Sequence, residues 1–167
     1  MKYNKMHICG THGSGKSTLG KKISQKLKIP LYSLVDVKYK IKYNKKRSPK
    51  EIKDQLKKIS KKKKWVTEEC WSDHAEELFK KADKIIIILT PKRICQQRIL
   101  KRFILRKKEK EDTLKSTINI IKRVGKYYSN KDKVSINAHL SLCKKYKKIP
   151  IILTNKKEIN ELVEKLK

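Results

Sequence analysis

Three of the chain's five glycines fall within six residues, in Gly10-Thr11-His12-Gly13-Ser14-Gly15-Lys16-Ser17-Thr18. This run satisfies G-x-x-x-x-G-K-[ST], a pattern whose residue types suit a polyphosphate. Glycines let the backbone turn so that successive N–H groups face an anion, and a helix starting at the end of the loop adds its partial positive charge. Lys16 would then reach the outer phosphates, and Ser17 would ligate Mg²⁺ through its hydroxyl. Lys16 alone says little among 41 lysines; the clustering of a scarce residue carries the reading.

Two carboxylates stand where a phosphate site could use them. Asp36 follows Leu31-Tyr32-Ser33-Leu34-Val35, and Glu68 follows Trp65-Val66-Thr67, so each is expected at the C-terminal end of a strand. Four of the six arginines lie between positions 93 and 106, and Arg98, Arg102 and Arg106 recur at every fourth residue, on one face of a helix. Guanidinium groups fork onto phosphate oxygens in a way lysine cannot, and phosphoryl transfer is catalysed mainly by positioning and charge neutralisation. Lys16, Asp36, Glu68, Arg98 and Arg102 are therefore the candidate catalytic residues, with Ser17 and Glu68 the candidate metal-binding pair and Asp36 the alternative carboxylate for organising Mg²⁺. No glycine has an Asp three residues before it, which removes the D-x-x-G switch of a GTPase. Asn155-Lys156-Lys157-Glu158 echoes N-K-x-D with Glu in place of Asp.

These groups need a parallel sheet to hold them. Residues 3–9 run as a strand into Gly10, and Leu19, Ile23 and Leu27 have helical spacing after the loop. Ser48-Pro49-Lys50-Glu51 starts a second helix, which Ile52, Leu56 and Ile59 continue. After the strand at Trp65, Ser72-Asp73 can cap a helix through Leu78 and Phe79. Lys84 to Thr90 is an Ile-rich run of the kind that both-faced burial produces. Helices follow from Pro91 to about Arg106, over Thr113–Tyr128 and over Val134–Tyr146, with Lys107–Asp112 as a break. Ile149 to Thr154 is a fifth strand and Glu158 to Leu166 a last helix. Five strands alternating with helices predict a three-layer α/β/α domain around a parallel sheet. It is expected to span 1–167 as one domain, without internal repeats or a Gly/Pro/Ser-rich linker.

Composition sets the background. The 167 residues hold 47 Lys and Arg against 16 Asp and Glu, a formal charge of +31, of which only six residues are arginine. The lysines spread through nearly every segment, so the charge reads mainly as background that also permits non-specific nucleic-acid binding. Cys9, Cys70, Cys95 and Cys143 form no C-x-x-C pair, and the four histidines lack metal-ligand spacing. Ile85 to Leu89 is far shorter than the roughly 20 residues of a membrane span, and the N-terminus has no apolar signal region. A soluble cytoplasmic protein with no membrane partner is the expectation.

Taken in order, Gly10–Thr18, Asp36, Trp65-Val66-Thr67-Glu68, Pro91 with Arg98 and Arg102, and Thr154 to Ile159 resemble the adenylate-kinase-like nucleotide kinases, most closely the small DNA topology modulation proteins. The resemblance spans nearly the whole chain, and its specific part is the glycine loop. It implies a P-loop fold with strand order 2-3-1-4-5, ATP and Mg²⁺ as cofactors, an acceptor-side segment near 37–64 and an Arg-bearing lid near 98–115. It also implies Asp36 beside the acceptor, Glu68 in place of the usual Asp, Asn155, Lys156 and Lys157 near the adenine, and a monomer or small homo-oligomer. The family's glycine and aromatic after the third-strand acid are here Glu69-Cys70-Trp71. The nucleotide-acceptor arginine is not evident between Asp36 and Glu68, apart from Arg47. The expected activity is transfer of the ATP γ-phosphate to a nucleotide, nucleoside or similar small acceptor. The alternative is a nucleic-acid-associated ATP-binding protein that uses its basic surface.

Overall fold

Ile85 to Ile88 are all buried, because consecutive side chains of a strand point to opposite faces and both faces here are covered. Ile85 and Ile87 join Cys9, Trp65 and Phe79 on one side, while Ile86 and Ile88 join Met6, Ile8, Val66 and Leu19 on the other. The computed structural model describes residues 3–41, 45–69, 76–105, 113–131 and 134–166. The isoleucine run is strand β6 (Lys84–Ile88). It lies in a five-stranded parallel sheet with β1 (Lys5–Gly10), β2 (Leu31–Ser33), β5 (Trp65–Glu69) and β7 (Ile151–Leu153), in the order β2-β5-β1-β6-β7. Counted along the chain within that sheet, the order is 2-3-1-4-5, as expected.

Helices α1 (Lys16–Leu27) and α8 (Lys156–Lys165) cover one face through Leu19, Ile23 and Leu162. The other face is covered by α2 (Leu34–Lys38), α3 (Pro49–Lys61), α4 (Glu76–Lys81) and α7 (Ile136–Lys145), which contribute Leu34, Val37, Ile52, Leu56, Leu78, Phe79 and Cys143. Helices α5 (Lys92–Leu105) and α6 (Leu114–Tyr128) pair with each other around Cys95, Ile99 and Val124. Ser48, Thr113, Ser135 and Asn155 each cap a helix through a side-chain oxygen, and Ser48 forms a full capping box with Glu51.

The sequence expectation fails in one place that bears on the site. The second strand stops at Ser33, and Asp36 lies within α2 rather than at a strand end. A strand would have put Leu34 and Asp36 on the same face; one turn of helix instead buries Leu34 and Val37 at i, i+3 and leaves Asp36 exposed. The basic segment after it contains a small antiparallel hairpin of β3 (Tyr39–Ile41) and β4 (Lys45–Lys46). The last helix starts at Lys156, two residues early, because Asn155 caps it. The Ser72-Asp73 cap and the break at Lys107–Asp112 lie outside the described residues.

Two core histidines set the acid limit of the fold. His7 on β1 shares a 2.7 Å hydrogen bond between its Nδ1 and the Thr67 hydroxyl, and His139 on α7 shares one of 3.1 Å with the Tyr127 hydroxyl. Phe79 packs against both rings. Burial pushes His7 down to about 3 and His139 down to about 4 from an ordinary 6.5, so both are neutral when folded. The unfolded chain therefore binds protons below pH 6.5 that the folded chain refuses. The stability they support is complete above about 6.5 and is lost as pH falls toward 4, at up to about 1.4 kcal/mol per pH unit per histidine. Thermal melts should show Tm falling from pH 7 to pH 5, before ordinary carboxylates titrate, and His139→Gln should flatten that slope. A pH-independent Tm over that range would contradict the buried neutral state.

Candidate active site

The loop from Gly10 to Ser17 connects the central strand to α1, and packing explains why its glycines are needed. At Gly13, with φ of 75°, an added Cβ would stand 2.5 Å from the Cys95 carbonyl oxygen. At Gly10, with φ of 149°, it would stand 2.7 Å from the Ile88 carbonyl oxygen. The loop thus presses against β6 on one side and α5 on the other, with no room for a side chain at either contact. Helix α1 starts at Gly15 without a side-chain cap, unlike the four helices above, so a ligand can take up its first-turn amides.

Two cations and a hydroxyl meet the carbonyls of the loop. Lys16, buried, donates from Nζ to the Thr11 carbonyl at 2.7 Å. Arg98 Nη1 donates to the Gly13 carbonyl at 3.1 Å and to that of Ser14 at 3.4 Å, and Thr90 Oγ1 donates to the Ser14 carbonyl at 2.9 Å. Among the described residues, the Ser14 hydroxyl is buried with no hydrogen-bond partner. His12 is pushed down to about 3, first by burial and then by the charges of Lys16, Arg123 and Arg102. Four cations from three helices thus surround the loop: Lys16 from α1, Arg98 and Arg102 from α5, and Arg123 from α6.

A carboxylate completes the site. Glu68, buried at the end of β5, accepts from Ser17 Oγ on Oε2 at 3.1 Å and from Ser33 Oγ on Oε1 at 2.8 Å. Strand register requires this meeting, since Ser33 pairs with Glu68 across β2 and β5, and Ile8 of β1 pairs with Glu68 from the other side. A hydroxyl and a carboxylate in contact beside an uncapped helix start form an all-oxygen pair that fits Mg²⁺.

The other candidates sit further out. Asp36 is exposed on α2, and its backbone carbonyl accepts from Arg47 Nη1 at 2.6 Å. The same Nη1 serves Val37 and Tyr39, so Arg47 closes the end of α2. Thr11 is buried in the loop and Thr18 exposed on α1. Asn155 accepts from the Glu158 amide at 3.0 Å and donates to its Oε1 at 2.7 Å, with Lys156 and Lys157 exposed in the first turn of α8. Gly10, Ile88 and Leu153 share one row across β1, β6 and β7, which puts Asn155 roughly 10 Å to the side of the loop. Arg106 lies outside the described residues. Sequence reasoning missed Ser33, Thr90 and Arg123. Arg123 alone had a signal, as one of six arginines.

Residues 7–119 match a family model described as AAA domain. The fold resembles shikimate kinase from Acinetobacter baumannii in complex with shikimate, at TM-score 0.59 and 15% identity over 97% of this chain and 89% of that one. It also resembles shikimate kinase from Bacteroides thetaiotaomicron (TM-score 0.55, 15% identity, 98% and 95% covered) and a gluconokinase from Sinorhizobium meliloti 1021 (0.51, 12%, 96% and 87%). No curated protein matches the chain significantly. The architecture is therefore the P-loop kinase fold.

The glycine contacts make opposite predictions at two positions. Gly13→Ala should destabilise the protein by roughly 1–3 kcal/mol, through backbone strain and the Cys95 contact. Gly125→Ala, within α6 and with only ordinary contact to the Lys92 side chain, should stabilise it by roughly 0.5–1 kcal/mol. Thermal melts of the two variants read the difference directly, and a neutral Gly13→Ala would refute the tight seating of the loop on α5.

Proposed function

The chain belongs to the AAA-domain family, and from that premise we propose that it is an ATP-dependent small-molecule kinase, transferring the γ-phosphate to a nucleotide, nucleoside or similar hydroxyl-bearing acceptor. One observation carries the reading: Ser17, Glu68 and Ser33 meet beside the glycine loop, with Lys16, Arg98, Arg102 and Arg123 around it. A static anion site needs the loop and its cations but has no use for a buried carboxylate held by two hydroxyls. Within the adenylate-kinase-like kinases, the order of these residues supports the resemblance to the small DNA topology modulation proteins.

Bound Mg²⁺–ATP supplies the transferable phosphoryl group and part of the charge neutralisation; Ser17 and Glu68 would hold the metal, and Gly10 to Thr18 would hold the phosphates. Lys16 and Arg98 each release a loop carbonyl and turn their charge to the incoming oxygens. Arg102 and Arg123 add positive potential from the far side, where negative charge develops during transfer. Ser33 fixes the rotation of Glu68, so the carboxylate enters the reaction already oriented. Asp36 stands on the acceptor side, with the segment 37–64, and is the group to orient the acceptor hydroxyl. The lid-like segment near 98–115 takes in the second half of α5 and the start of α6, with 106–112 outside the described residues, and Asn155, Lys156 and Lys157 flank the adenine. No helix among the described residues is long and apolar enough to cross a membrane, and cytoplasmic nucleotide pools suit this chemistry.

An assay of ATP conversion to ADP across mononucleotides, nucleosides and small hydroxy acids, with acceptor-free hydrolysis as the baseline, tests the assignment. Lys16→Ala should lower turnover on the best acceptor roughly 10²–10³-fold while the protein still melts cooperatively. Near-normal turnover in that variant would sink the proposal. Glu68→Gln should raise the Mg²⁺ concentration for half-maximal rate about tenfold. Arg98→Ala and Arg102→Ala should lower kcat more than ATP affinity, and a loss confined to affinity would point to static binding.

A further inference from the structure

Thr90 is buried in the short link between the end of β6 at Ile88 and the start of α5 at Lys92. Its carbonyl belongs to neither element. The ladder from β6 to β7 ends with Ile88 opposite Leu153, and the first bond of α5 runs from the Cys95 amide to the Pro91 carbonyl. A buried carbonyl left over in this way needs donors from elsewhere. Two side chains supply them: the Tyr128 hydroxyl, on the last residue of α6, and the Cys95 thiol at 3.3 Å. Burial pushes both groups up from their ordinary values, so each keeps its proton at neutral pH and remains a donor.

The side chain of the same residue reaches the glycine loop. Thr90 Oγ1 donates to the Ser14 carbonyl at 2.9 Å. Arg98 Nη1 reaches that oxygen at 3.4 Å, but a guanidinium that turns to an incoming phosphate leaves the Thr90 hydroxyl as the donor that stays. In a trans peptide the N–H points opposite to the C=O, so a fixed Ser14 carbonyl also fixes the Gly15 amide, at the uncapped start of α1. Contacts thus run from the end of α6, through the Thr90 backbone and side chain, to a backbone donor of the loop.

We propose that Tyr128 is a positioning residue for phosphate binding: its hydroxyl holds the Thr90 peptide, and Thr90 in turn holds the Ser14–Gly15 peptide. The proposal rests on the reading of the glycine loop as the ATP site. Helix α5 acts on the loop directly, through the Cys95 carbonyl beside Gly13 and through Arg98. Helix α6 acts on it at one remove, by the hydroxyl of Tyr128. The ring is held independently of that hydroxyl. It packs on the core of Cys95, Ile99 and Val124 and meets the Tyr127 ring edge-on, with centroids 5.4 Å apart. Phenylalanine at 128 therefore keeps the packing and removes the donor alone.

Calorimetric titration of the full chain with Mg²⁺–ADP and with Mg²⁺–pyrophosphate, alongside thermal melts, tests the proposal. Tyr128→Phe should weaken both ligands by about 3–10-fold, the effect of one hydrogen bond. Pyrophosphate carries no base or ribose, so an equal factor for the two ligands assigns the loss to the loop. Thr90→Val should weaken both by about tenfold, and Thr90→Ser, which keeps the hydroxyl, should bind as the wild type does. The double variant Tyr128→Phe/Thr90→Val should bind no more weakly than Thr90→Val alone, because the Tyr128 hydroxyl then has nothing left to position. Additive losses in the double variant would overturn the proposal. So would a Tyr128→Phe protein whose Tm falls while both affinities stay at the wild-type value, since Tyr128 would then only stabilise the fold. A wild-type chain that binds neither ligand would overturn the kinase reading and this proposal with it, an outcome distinct from the other two.

Discussion

A carboxylate held between two hydroxyls fixes the geometry on which the rest of the site depends. Glu68 sits in the interior end of β5, where an ionised group without partners would cost several kcal/mol. Ser17 and Ser33 donate to its two oxygens and supply those partners. Because Ser17 belongs to the first turn of α1 and Ser33 ends β2, the bonds tie the start of a helix to the ends of two strands. The position of α1, and hence the direction in which its amides point, is set by this junction as much as by the apolar packing of Leu19 and Ile23. A metal-binding pair and a structural clamp are here the same atoms, so the clamp is strongest when no metal competes for it.

The glycine loop has a complementary problem. Its carbonyls face protein, and a carbonyl facing protein needs a donor. Thr90 and Arg98 serve Ser14 and Gly13, while Lys16 serves Thr11. Two of these donors are cations with a second use once a phosphate arrives, and one is a hydroxyl without one. Thr90 therefore anchors the loop permanently to the end of β6, and Lys16 and Arg98 hold it in a way that a ligand can reverse. Cys95 reinforces the same contact, since its carbonyl occupies the space where a Gly13 side chain would go. The loop's shape is imposed from outside, by β6 and α5.

Periodicity and scarcity made much of this legible in the sequence. The isoleucine run required burial on both faces, Ser48-Pro49-Lys50-Glu51 required a capped helix, and three of five glycines in six residues required a special turn. Leu34-Val35-Asp36-Val37 fits a strand by composition, and only the core contacts of Leu34 and Val37 select the helical turn that carries Asp36 away from a strand end. Asn155 stands in an N-K-x-D-like run, and its cap on α8 is a local hydrogen-bond choice that any Asn before a helix can make. Ser33, Thr90 and Arg123 were illegible for a different reason. Each acts on a residue at least 35 positions away, and one sequence carries no trace of which strands will lie side by side.

The charge looks different once its distribution is known. As composition, +31 spread over 41 lysines is background, and background of that kind repels itself everywhere. In the fold, the described residues between Asp83 and Glu158 carry no acid: Glu51 pairs with Lys40 and Glu76 with Lys145, whereas α5, α6 and α7 bring only cations. The phosphate loop lies among these cations: burial first, and then the charges of Lys16, Arg123 and Arg102, hold His12 down to about 3. Such a field lowers the energy of any bound polyphosphate and raises that of the empty site. Part of the driving force for nucleotide binding is therefore relief of repulsion among the residues that line it.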